Sequence, residues 1–213
     1  NELLPITKIF INAPKIKIYN TRNFGAKVLL YNPFSNKREE IAEQIAKKRD
    51  LTLIKPYDDY DIIAGQGTVG KEIVNQLNEL DLIPDIYLCC VSGGGLIAGS
   101  SFYLKKNFPF ISCYSVEPKY FDDTLKSLNK KKIISNKKSV ATICDALVVP
   151  QPGNITFSIN KNILKKGLSV SDSDVKKTIK FLAEELKLTV EPGGAVSAAA
   201  ILAKKINTKG KNV

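Results

Sequence analysis

The stretch Ile86-Tyr87-Leu88-Cys89-Cys90-Val91-Ser92-Gly93-Gly94-Gly95-Leu96-Ile97-Ala98-Gly99 reads as strand, glycine turn and helix in immediate succession. The apolar run before the glycines suits a buried strand. Three consecutive glycines let the backbone come close to a ligand and aim its N–H groups inward. The helix that follows adds its positive N-terminal end, so an anion, above all a phosphate, fits there. A ligand-free turn needs only one such glycine, and three cost backbone entropy. The balance favours phosphate.

Working outward, strand-like and helix-like segments alternate. Lys27 to Tyr31, Leu51 to Ile54, Asp85 to Val91 and Ile111 to Val116 are predicted strands. Lys37 to Arg49, Thr68 to Leu80, Leu96 to Lys106 and Gly194 to Lys205 have helical spacing. Ser171 to Leu186 is predicted as a helix with Ser171 as N-cap and Asp174 answering it three residues on. A new element is expected from Thr189. This alternation predicts an α/β fold with a doubly wound parallel sheet. Pro and Asp cluster at Pro56-Tyr57-Asp58-Asp59, which places a boundary between residues 1–57 and 58–213.

Composition excludes several chemistries. The chain has 213 residues, none of them histidine, which removes Ser-His-Asp catalysis and His metal sites. The net charge of +11 comes almost wholly from lysine scattered over helix-like segments, with arginine only at Arg22, Arg38 and Arg49. Runs such as Lys130-Lys131-Lys132 and Lys137-Lys138 read as a solvated loop, so no nucleic-acid partner is expected. No apolar run is long enough to span a bilayer, so no membrane partner is expected either, and a cytoplasmic location is. Cys89, Cys90, Cys113 and Cys144 form no C-x-x-C pair and are expected as reduced, mostly buried thiols. The chain has no methionine, so it reads as cut at its start, and Lys211-Asn212-Val213 reads as the opening of a further strand.

Spacing alone leaves the kind of phosphate open. Gly93-x-Gly95-x-x-Ala98 satisfies a dinucleotide fingerprint, and Glu117 lies 22 residues beyond Gly95, where a ribose-binding acid would stand. A NAD-dependent oxidoreductase is therefore one reading of the Gly93–Gly95 loop.

Six segments carry a resemblance that separates these readings. They are Ala13-Pro14-Lys15-Ile16-Lys17 with Asn20-Thr21-Arg22 and Gly25-Ala26; Ala64-Gly65-Gln66-Gly67-Thr68; Ser92 to Gly95; Val116-Glu117-Pro118 with Phe121-Asp122-Asp123; Ile143-Cys144-Asp145-Ala146; and Leu188-Thr189-Val190-Glu191-Pro192. In order and interval they resemble the serine/threonine dehydratase and serine racemase family of fold type II pyridoxal-phosphate enzymes, which are tryptophan synthase β-like. In that family the second segment is a turn leading into a large-domain helix. The third is a tetraglycine phosphate loop, here with Ser92 for the first glycine. The fifth has glycine where this chain has Ala146.

The resemblance implies pyridoxal 5'-phosphate as cofactor. Backbone N–H groups of Ser92, Gly93, Gly94, Gly95 and Leu96 would hold its phosphate, and Glu191 would lie near its ring. It implies a magnesium, manganese or calcium site at Glu117, Asp123 and the Phe121 carbonyl. From the residues alone, Asp122 and Asp123 read first as caps of a helix starting near Thr124, and the resemblance is what puts the metal ahead. The implied activity is a threonine/serine ammonia-lyase, converting L-threonine or L-serine to a 2-oxo acid and ammonia. Serine racemase and hydroxyaspartate ammonia-lyase are alternatives of the same family. A homodimer is implied for the full-length protein. No lysine here stands in the family's S-x-K-x-R-G context, so the Schiff-base lysine is expected upstream of Asn1. The smaller domain is then incomplete, and the 213 residues by themselves are expected to be inactive.

Overall fold

The computed structural model describes residues 5–10, 13–31, 38–136 and 141–213. Lys37, Lys137 and Lys138 lie outside them. Two compact units divide the chain, Asn1–Ile54 and Lys55–Val213.

The first unit contains β1 (Ile6–Phe10), α1 (Lys15–Asn23), β2 (Lys27–Tyr31) and α2 (Arg38–Lys48). β1 and β2 pair in parallel, Ile6 opposite Lys27 through Phe10 opposite Tyr31. A parallel pair requires a crossover, and α1 provides it. Leu51 to Ile54, predicted as a strand, has no regular structure, and Ile54 is 70% exposed. The segment has no ladder partner among the described residues to satisfy a strand's backbone.

The second unit runs α3 (Tyr60–Glu79), β3 (Ile86–Cys90), α4 (Gly95–Asn107), β4 (Ser112–Pro118), α5 (Asp123–Lys130), α6 (Asn154–Ile163), β5 (Leu164–Val170), α7 (Asp172–Glu185) and α8 (Pro192–Leu202). Its sheet is parallel in the order β3-β4-β5, with Cys90 opposite Val116 and Glu117 opposite Ser169. One cluster packs Val116, Leu168 and Val170 of the sheet against Val175 of α7 and Val196, Ala199 and Ala200 of α8. A second cluster packs Cys89, Val91 and Cys113 against Val74 of α3 and Ile97 and Leu104 of α4. A sheet carrying helices through two separate cores is the layered α/β arrangement that the alternation predicted. All four cysteines are free thiols, and Cys89, Cys113 and Cys144 are buried.

α3 starts at Tyr60, not Thr68. Asp59 caps it, its Oδ1 accepting from the N–H groups of Asp61 and Ile62 at 2.9 and 3.3 Å. The segment 64–68 is therefore helix interior rather than a turn. Gly70 of this helix and Gly99 of α4 allow the two helices to cross closely. A Cβ on Gly70 would lie 2.6 Å from the Ser100 carbonyl oxygen, and one on Gly99 would lie 2.1 Å from that of Ile63. α8 likewise starts at Pro192, a residue whose missing N–H costs nothing at the first helical position. Thr189 precedes it without regular structure. Ser171 caps α7 as predicted, in a reciprocal box with Asp174.

Candidate functional site

The turn after β3 leaves the sheet at its C-terminal edge, where ligands of open α/β sheets bind. Gly94 is the N-cap of α4, at φ 93° and with no side-chain cap. The N–H groups of Ser92, Gly93 and Gly94 have no hydrogen-bond partner among the described residues. Those of Gly95 and Leu96 lie in the first turn, which has no carbonyl of its own helix to bond. Ala98 is the first to bond back, to the Gly94 carbonyl at 3.0 Å. The Oγ of Ser92 is buried and unpartnered as well. Donors without acceptors, at the positive end of a 13-residue helix, form a cradle that a phosphate fits.

Packing accounts for the glycines themselves. A Cβ on Gly93 would fall 2.2 Å from the Tyr57 ring, and one on Gly95 3.0 Å from the Tyr57 Cβ. On Gly94 it would fall 2.9 Å from Asn160 Nδ2 and 3.1 Å from Thr156 Oγ1. The glycines let protein close on the loop, and the unpaired donors are groups that an anion could bond.

Glu191 is exposed and forms the N-cap of α8, without a side-chain cap bond. It lies near the half-buried Cys90, whose thiol is pulled down to about 7, chiefly by a hydrogen bond with the Cys89 thiol, while the Glu191 charge opposes this. Ala146 and Leu147 sit beside Gly193 in the first turn of α8, 3.7 and 3.5 Å from the place of its Cβ. Asp172 tethers this segment, accepting from Thr142 Oγ1 at 2.6 Å and from the Ile143 N–H at 3.0 Å.

Glu117 and Asp123 are both fully or almost fully buried, at 0 and 1% exposure. Oε1 and Oε2 of Glu117 accept from the N–H groups of Thr124 and Leu125, each at 2.8 Å. The strand residue, and not Asp122, caps α5; Asp122 makes no cap bond and pairs with Lys126 at 2.6 Å. Both Glu117 oxygens thus serve the start of α5, and each keeps a lone pair for a further donor or a cation. Burial, then the neighbouring Asp123 charge, pushes the Glu117 carboxyl well above the usual range. Burial pushes Asp123 up to about 7, although Asn136 donates to its Oδ1. Asp123 Oδ2 is buried without a partner among the described residues. Two buried carboxylates with one orphaned oxygen suit a hard cation. No group of three or more His, Cys, Asp or Glu side chains that could hold a metal ion exists among the described residues, so a cation here would need further oxygen ligands from backbone or water. The N–H of Phe121 is held by the Pro118 carbonyl at 3.0 Å.

Asp58, Thr156, Asn160 and Asn136 carry no motif that singles them out in the sequence, yet they shape the site. Asp58 accepts from the N–H groups of Asn154, Ile155 and Thr156 at 3.0, 2.8 and 3.1 Å, capping α6. Asn136 spans Asp123 and the Val149 carbonyl. An apolar groove of about 630 Å³ lined by Tyr60, Ile63, Phe102, Tyr103 and Ile159 includes none of residues 92–95, Glu117 or Glu191. No described helix is long and apolar enough to cross a membrane.

Known proteins with similar sequences and folds agree with one another. The family described as "Pyridoxal-phosphate dependent enzyme" matches residues 10–213. Serine racemase of Schizosaccharomyces pombe is 35% identical over 95% of this chain and 61% of its own length. L-threonine ammonia-lyase of Thermotoga maritima is 33% identical over 94% of this chain and 49% of its own length. The chain therefore spans about half to three-fifths of these relatives. Among solved structures, a T.th. threonine deaminase superposes with a TM-score of 0.89 at 31% identity, covering 95% of this chain and 65% of that one. Maize serine racemase does so at 0.88 and 30%, covering 98% and 63%.

Proposed function

The chain belongs to the pyridoxal-phosphate dependent enzyme family, and from that membership we propose that it forms the phosphate-binding part of a threonine/serine ammonia-lyase. The reaction converts a β-hydroxy amino acid such as L-threonine or L-serine to a 2-oxo acid and ammonia. The observation that carries the reading is the set of unpaired N–H groups at Ser92, Gly93, Gly94, Gly95 and Leu96. When bound, the cofactor would supply an electron sink for the substrate's α-carbon.

The chain's own residues position and exclude. The loop N–H groups bind and orient the phosphate dianion in a site whose glycines are buried. Glu191, at the start of α8, is proposed to lie beside the cofactor ring. Glu117, Asp123 and the Phe121 carbonyl are proposed to hold a magnesium, manganese or calcium ion, which fixes the end of β4 next to the loop. The Schiff-base lysine is proposed to come from residues other than these 213, because no lysine here has the required context.

A racemase of serine is the second reading, supported by the 35% identity to the fission-yeast enzyme. Hydroxyaspartate is a further candidate substrate, since a Saccharomyces cerevisiae enzyme of that name is 34% identical over 95% of this chain. The test incubates the chain with pyridoxal phosphate and then with L-threonine, L-serine or L-threo-3-hydroxyaspartate. The expected outcome is saturable cofactor binding without 2-oxo acid release by these residues alone. In a protein that adds the lysine segment, 2-oxo acid release is expected to outpace D-serine formation. Absence of cofactor binding would overturn the proposal, and dominant D-serine formation would favour the racemase.

A further inference from the structure

We infer that Thr156 and Asn160 of α6 are positioning residues for phosphate recognition, aiming N–H groups of the glycine loop that they do not themselves extend. Thr156 Oγ1 donates to the Gly93 carbonyl at 2.7 Å, and Asn160 Nδ2 donates to the Gly94 carbonyl at 3.1 Å. A trans peptide is planar, with its C=O and N–H pointing in opposite directions. The Gly93 carbonyl shares a peptide with the Gly94 N–H, and the Gly94 carbonyl shares one with the Gly95 N–H. Tying both carbonyls to α6, the Gly94 carbonyl together with the Ala98 N–H of α4, therefore turns both N–H groups the other way, towards the anion cradle.

The arrangement is specific to the loop. Both side chains are buried, at 0 and 1% exposure, on the side where a Gly94 Cβ would stand. Asn160 Oδ1 has no partner among the described residues. A buried unsatisfied acceptor is costly, so an apolar residue would serve α6 packing better than an amide that uses only its donor. The Gly93 carbonyl also accepts the Gly153 N–H at 3.2 Å, so the first turn of α6 reinforces the same orientation. The ligand class is a phosphate monoester dianion, as in pyridoxal phosphate. The inference rests on the reading of the loop given above.

The test uses the full chain and inorganic phosphate as probe, with pyridoxal phosphate as the second ligand. Thr156→Val and Asn160→Leu are expected to weaken both by roughly tenfold or more, the loss of one well-aimed bond to a charged group. Thr156→Ser is expected to restore wild-type affinity. The urea midpoint without phosphate serves as the control for a merely structural role. If the variants unfold, the wild-type amide spectrum decides the matter: the Gly94 and Gly95 resonances are expected to shift most on adding phosphate. Unchanged affinity in folded variants, or wild-type binding that leaves Gly94 and Gly95 unmoved, overturns the positioning role alone. A wild-type chain that binds no phosphate overturns the loop reading and this inference with it.

Discussion

Asp58 and Thr156 meet across 98 residues, the Oδ1 of the first accepting the backbone N–H of the second at 3.1 Å. Because the hydroxyl of Thr156 continues to the Gly93 carbonyl, the cap of α6 and the glycine loop form one connected network. Asp58→Ala removes the acceptor of three helix-start N–H groups. The expected cost is about 1–2 kcal/mol of stability, read from urea denaturation. Asp58→Asn keeps an acceptor and is expected to recover about half of that loss.

Gly94 combines a φ of 93° with two polar neighbours at the place of a Cβ. Gly94→Ala is expected to lower stability by about 1–3 kcal/mol, because an L-residue is strained there. Phosphate and pyridoxal phosphate binding should fall with it, while Gly65→Ala, whose Cβ meets nothing within 4 Å, leaves binding intact. Isothermal titration of each variant checks the pair.

The orphaned Oδ2 of Asp123 predicts a response to hard cations. Millimolar magnesium, manganese or calcium is expected to raise the thermal midpoint, because a ligand that binds only the folded state stabilises it. Asp123→Asn removes the response, and a chelator reverses it in the wild type. Equal midpoints with and without cation would rule the site out.

The α7 capping box contributes to acid sensitivity. Hydrogen bonds from the Ser171 side chain and then its backbone hold the Asp174 carboxyl below its ordinary 3.8. The ionised form is favoured in the folded state, so the stabilisation is present above that value and is lost as pH falls through the lowered one. Ser171→Ala is expected to cost about 1 kcal/mol at neutral pH and to flatten this part of the acid limb in a pH series of urea midpoints.

Local chemistry makes much of this fold legible. Lys27–Tyr31 announces itself by its apolar content, and Ser171 with Asp174 announces a helix start, because each signal lies within a few residues. β5 escapes notice because Lys165, Lys166 and Gly167 break its apolar pattern. Gly167 is there for contact, since a Cβ on it would lie 2.6 Å from the Leu125 Cα. Proximity in sequence points to Asp122 and Asp123 for the α5 cap, whereas the acceptor is Glu117, seven residues away from Thr124 on the neighbouring strand. The glycine loop is visible in the sequence, but the residues that shape it are not. Tyr57, Thr156 and Asn160 reach it from distant segments, Asp58 holds the start of α6, and no spacing rule links them.

The bond from Thr156 to Gly93 closes over 63 residues. A ribosome adding about 5–20 residues per second therefore exposes the loop for roughly 3–13 s before its clamp has been made. During that interval the nascent loop has its glycines but not its shape. On the positioning role inferred above, phosphate recognition waits until Thr156 and Asn160 have been made, and pausing between the two segments would lengthen the time in which the newborn chain carries an unclamped loop.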